Sequence, residues 1–171
     1  MYYLRKMAKT SNLWKIKDSS SIEEIPADVL KQELGTSRNT LSFWKSDSLS
    51  DLKDAILAIL LSTTSIETSQ FIILNDDILD RYEIKRDFNE KGITAYKGYE
   101  DLHVNLCELN YRKIGQMLSI IKEVSEEESF LLKINRKDVK EYITEAKREG
   151  KINEDNLRPE LKEAIKKYCN V

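Results

Sequence analysis

Residues 40–77, TLSFWKSDSLSDLKDAILAILLSTTSIETSQFIILNDD, decide the fold, because no other part of the chain is so apolar. Leu52, Ala55, Ile56, Ile59 and Leu60 recur at the three-to-four spacing of one helical face, and Leu57, Ala58 and Leu61 fill most of the remaining circumference. A helix apolar nearly all round is a buried helix. Ser50 is placed as its N-cap, with Asp51 and Asp54 at the positive end of the dipole. The run falls short of the roughly 20 residues that span a bilayer, so no membrane segment is expected. Phe71, Ile72, Ile73 and Leu74 form an unbroken apolar run, the pattern of a central strand covered on both faces. With residues 41–44 as an earlier strand, the stretch reads as a crossover unit, parallel if both strands share a sheet.

Working outward, the expected architecture is α/β: a mixed or mostly parallel sheet of about five or six strands flanked by helices, with a C-terminal helical pair. Residues 1–134 form the core domain in this reading. Residues 135–171 form a helical extension packed on the core or on a partner. Residues 2–7 and 13–17 read as two strands of an edge hairpin. Pro26 opens a helix that Gly35 ends. Residues 93–96 suggest an edge strand. Leu102, Val104 and Leu106 alternate with His103, Asn105 and Cys107, which favours a strand over an early helix. Asn110 and Asn135 are placed as N-caps of two further helices, and Gly115 is expected to admit a close neighbour.

At 171 residues the chain is long enough to bury a core without disulfide or metal. Charged residues make up 34% of it yet nearly cancel, to a formal net charge of -2, so no global field selects nucleic acid or an anionic membrane. Cys107 and Cys169 stand far apart without a CxxC, which argues against a disulfide framework or zinc site and fits a reducing cytoplasm. The charged amino-terminal segment does not read as a secretion signal. Frequent Lys, Ile and Asn suit an AT-rich microbial genome.

No catalytic signature or nucleotide fingerprint is present. The leading expectation is therefore a non-enzymatic interaction or regulatory protein, an accessory subunit or inhibitor of another bacterial protein. The apolar stripes Val139, Tyr142, Ile143 and Leu161, Ile165, Tyr168 are its candidate partner-binding residues. The competing class is a metal-dependent phosphoesterase or nuclease. Adjacent Asp76 and Asp77, directly after the central strand, would hold Mg²⁺, with Arg38 on phosphate and His103, the only histidine, positioning water. The simpler reading of residues 75–77 is a helix cap. Residues 35–40, rich in small donors around Arg38, could cradle a phosphate, although they precede a strand rather than a helix. A third class is nucleic-acid binding through Arg5, Lys6, Lys9, Lys15 and Lys17, in a segment with no acidic residue.

Overall fold

Period-2 and period-3.6 patterns alternate along the chain, and the computed structural model, which describes residues 1–8 and 10–169, resolves them into six strands and seven helices. In chain order these are β1 (Tyr2–Lys6), α1 (Thr10–Asp18), α2 (Ala27–Glu33), β2 (Leu41–Ser46), α3 (Leu52–Leu60), β3 (Ser69–Asn75), α4 (Asp76–Arg81), β4 (Lys85–Asp87), β5 (His103–Cys107), α5 (Tyr111–Ser125), β6 (Leu131–Ile134), α6 (Arg136–Arg148) and α7 (Pro159–Tyr168). Short 3₁₀ turns link several of them. The strands make one sheet in the order β4-β5-β2-β1-β3-β6.

Every neighbouring pair in that sheet is antiparallel, which overturns the mixed or mostly parallel sheet expected from the sequence. The physical reason lies in β1. β2 and β3 do run in the same direction on either side of α3, but β1 inserts between them and pairs antiparallel with each, Leu4 opposite both Trp44 and Ile73. The unbroken apolar run of β3 reports burial on both faces, not strand direction.

Two helical layers supply that burial. On one face, Leu4, Trp44, Phe71 and Ile73 pack with α3, with Val139 and Ile143 of α6, and with Leu161 and Ile165 of α7. On the other, Tyr3, Phe43, Ile72, Leu74, Val104 and Leu106 pack with Leu13 and Ile16 of α1, Val29 of α2 and Met117 and Ile121 of α5.

The expected amino-terminal hairpin is absent. β1 lies at the centre of the sheet, and residues 13–17 belong to α1, where Leu13 and Ile16 share the buried face while Trp14 is 55% exposed. Their three-residue spacing outweighed the β propensity of Trp14 and Ile16. Residues 93–96 are not a strand either; Tyr96 makes an isolated bridge to Ile152. Residues 103–107 are the strand β5, and Asn110 and Asn135 cap α5 and α6 by accepting from the main-chain N–H of Lys113 and Asp138, each at 3.0 Å. α3 begins at Leu52 after a 3₁₀ turn over Leu49–Asp51, without a side-chain cap from Ser50. No helix among the described residues is long and apolar enough to cross a membrane.

Candidate functional site

The β2–β5 register sets Ser42 opposite Asn105 and Trp44 opposite His103. Strand alternation turns these four side chains to one face, the face covered by α3 and α7. Where the helices stop short of this end of the sheet, a cavity of about 500 Å³ is lined by Ser37, Arg38, Thr40, Ser42, Glu90, His103, Asn105 and Arg158, with Trp44, Gly92 and Ser62 beside them.

Each wall has a local cause. Residues 37–40 form a tight turn, with Thr40 N donating to Ser37 O at 3.0 Å and Thr40 Oγ1 donating to the same carbonyl at 2.8 Å. Arg38 and Asn39 both adopt left-handed backbone, φ 53° and 59°, the conformation of a twist-matched two-residue hairpin turn. Asn tolerates it; for Arg it costs about 1–2 kcal/mol. Leu109 N donates to Asn39 O at 2.9 Å and ties the turn to the end of β5.

The opposite wall depends on Gly92. A Cβ there would lie 2.5 Å from the Trp44 ring and 2.8 Å from His103 Cβ, so only glycine lets this loop lie flat on the strands. Gly92 N donates to Glu100 O at 2.9 Å. The loop then presents Glu90 twice: its carbonyl lies 2.9 Å from His103 Nδ1, and its carboxylate accepts from Asn105 Nδ2 at 2.6 Å. A carbonyl can only accept, so His103 Nδ1 carries the proton and a neutral ring keeps a lone pair on Nε2. Trp44 meets the His103 ring edge-on at 5.5 Å.

Charge in this cleft is unbalanced. Lys91 is paired with Asp101 at 3.1 Å. Arg38 and Arg158 have no ion-pair partner among the described residues, and the one carboxylate at hand, Glu90, is engaged by Asn105. Two guanidinium groups and the Ser37 hydroxyl supply donors suited to an anion, while the hydroxyls of Thr40, Ser42 and Ser62 donate to Ser37 O, Asn105 Oδ1 and Ile59 O.

The structure thus brings Arg38 and His103 to one cavity, and Asp76 and Asp77 do not line it. Asn75 caps α4 by accepting from Ile78 N at 2.9 Å. Asp76 accepts from Tyr3 Oη at 2.7 Å and lies 2.8 Å from the Met1 amino nitrogen and 3.0 Å from Arg86. Tyr3 belongs to the other face of the sheet, beneath α5. Partial burial works against ionisation of Asp76, but hydrogen bonds from the Met1 amino group and Tyr3, with the charge of that amino group and of Arg86, outweigh it and hold the carboxyl below its ordinary value. Burial and the Asp76 hydrogen bond push the Tyr3 phenol up. Asp77 is exposed. No group of three or more acidic, histidine or cysteine side chains placed to hold a metal occurs among the described residues.

The basic amino-terminal residues separate. Arg5 turns inward, donating to Ser42 O at 2.9 Å and Glu33 O at 3.1 Å. Lys6 pairs with Glu67 at 2.9 Å. Lys15 and Lys17 sit on α1, Lys17 over the Trp14 ring, and Lys9 lies outside the described residues. Val139, Ile143, Leu161 and Ile165 are buried in their own chain's core, and Tyr142 packs against it. Tyr168 is 37% exposed, with Arg136, Lys140 and Lys167 each within 4.7–5.1 Å of its ring centroid. Hydrogen bonds from Lys167 and Arg136 and their charges lower its phenol pKa.

Sequence reasoning missed Glu90, Gly92, Asn105 and Arg158. The alternation at 102–106 carried a signal for Asn105, since it shares a strand face with His103. Arg158 carried none, because its approach depends on how α7 folds back. Comparison of this chain with protein-family models, with curated proteins and with solved structures finds no match, so the reading of the cleft rests on its own geometry.

Proposed function

We propose that this protein is a non-enzymatic regulatory or accessory protein that binds a phosphate-bearing small molecule in the cleft between the Ser37–Thr40 turn and the start of α7. One observation carries the reading: Arg38 and Arg158, remote in sequence and without ion-pair partners among the described residues, converge on one cavity lined with hydroxyl and amide groups. Guanidinium groups bind phosphate oxygens through planar pairs of N–H donors. Asn105, held by Glu90 and by Ser42 Oγ at 3.3 Å, and the free His103 Nε2 then recognise polar groups on the rest of the ligand. In this reading ligand occupancy is passed to a protein partner, for which the outer faces of α6 and α7 offer Tyr168 ringed by cations.

The test is equilibrium binding by isothermal titration, with tripolyphosphate and a nucleoside triphosphate as probes. Binding should weaken with added salt, and Arg38→Ala and Arg158→Ala should each weaken it about tenfold or more, the usual consequence of losing a charge-assisted contact. Both arginines are exposed, so neither substitution touches the core. Absence of binding at millimolar probe, or affinity indifferent to both substitutions, would sink the proposal.

A further inference from the structure

The two edges of the sheet are built differently. β4 closes one side with Lys85, Arg86 and Asp87, charged side chains that discourage pairing with another strand. β6 closes the other with Leu131, Leu132, Lys133 and Ile134, an edge with a single charge.

Register fixes which main-chain groups of β6 face outward. Met7 N donates to Gln70 O, so Gln70 turns its main chain toward β1. By alternation Ser69 and Phe71 turn theirs toward β6, where they stand opposite Ile134 and Leu132. The N–H and C=O groups of Leu131 and Lys133 therefore point away from β3; Leu131 N–H donates to Glu128 O in the turn before the strand, which leaves the Lys133 N–H and the two carbonyls as the outward groups of this edge. Charge is segregated along the same edge. Exposed Glu126, Glu127 and Glu128 precede β6, while Lys133, Arg136 and Lys137 lie at its far end; none of the six is ion-paired among the described residues.

We propose that a second copy of this chain pairs with the β6 edge, antiparallel about a two-fold axis at Leu132. In that register Leu131 of each copy stands opposite Lys133 of the other, so each Lys133 N–H donates to the Leu131 carbonyl of the other copy and the two six-stranded sheets become one. The antiparallel arrangement also brings the acidic turn before β6 of each copy to the end of the edge where Lys133, Arg136 and Lys137 of the other copy lie. The edge is thus self-complementary in hydrogen bonding and in charge, which is what an isologous contact requires. Four-residue strands alone bury less than the roughly 1,000 Å² of a stable interface, so the flanking charged turns carry much of the association and make it sensitive to salt.

Sedimentation velocity of the full chain at about 100 µM tests this, in about 50 mM and about 500 mM NaCl, a range over which charge screening tightens severalfold. A dimer at low salt whose dissociation constant rises about tenfold at high salt is expected. Glu126→Lys, Glu127→Lys and Glu128→Lys together should give monomer, and adding Arg136→Glu and Lys137→Glu to that chain should restore the dimer. Lys133→Pro, which removes one outward N–H and no intrachain bond, should give monomer with an unchanged far-ultraviolet circular dichroism spectrum. A wild-type monomer at both salts, a ladder of species beyond dimer, or a dimer indifferent to the charge reversals would each overturn the proposal.

Discussion

Gly92 shows how much one missing Cβ can decide. Its close contact with Trp44 and His103 brings the loop that carries Glu90 down onto β5. Gly92→Ala should destabilise the fold by about 1–3 kcal/mol, the usual cost of overpacking, as read by urea unfolding at neutral pH. The sequence reading put the close approach at Gly115 instead, where a Cβ would meet nothing within 4 Å. Nothing local separates the two glycines, since the contact at Gly92 comes from strands made elsewhere in the chain. Asparagine caps were legible because their chemistry is local: Asn75, Asn110 and Asn135 each accept from an N–H three residues on. Asp76 was visible as an acid after a strand, but its partners Tyr3 and Arg86 were not. Its folded-state carboxyl is held low, so its contribution to stability is present above the ordinary carboxylate range and disappears as pH falls through the folded value. The stability difference between wild type and Asp76→Asn in urea should accordingly shrink from pH 7 toward pH 3. A difference that stayed constant over that range would show that Asp76 is not held in this way.

At the scale of elements, the buried helix and the central strand were read from periodicity and apolar run length, and both stand where expected as α3 and β3. α1 was misread because nine residues carry only two inward-facing apolar side chains, Leu13 and Ile16, too few to separate a three-residue period from a two-residue one. β4 was not anticipated, since three charged residues hold no apolar pattern and are ordered by pairing with β5. The carboxyl-terminal helices carry the clearest energetic consequence. Val139, Ile143, Leu161 and Ile165 share one core with Leu4 and Phe71, and each buried side chain is worth about 1.5–3 kcal/mol. A typical domain has only about 5–15 kcal/mol of net stability. Removal of residues 135–171 should therefore abolish cooperative thermal unfolding of the remainder, as followed by circular dichroism. A truncated chain that melts in one sharp transition would show that the two helices are dispensable to the core.

Across the whole molecule, a sheet flanked by helices could be inferred from sequence, whereas strand direction could not, and the strand set was read only in part: residues 13–17 and 93–96 are not strands and β4 was not foreseen. An apolar strand reports only that both its faces are covered, and here an antiparallel sheet lies between two helical layers. Site legibility follows the same division. Arg38 and His103 were named from their local settings, and their meeting in one cleft depends on the β2–β5 register and on the position of the helix that begins at Pro159.

The central place of β1 bears on how the chain folds as it is synthesised. The strand made first has neighbours on both sides that are made later, β2 ending at Ser46 and β3 at Asn75. While the ribosome completes that length, the apolar side chains Tyr3 and Leu4 have no sheet to enter. The middle of the sheet can close only after the α3 crossover has emerged, an ordering of long-range contacts that slows folding and lengthens the interval in which a chaperone can engage the nascent amino-terminal segment.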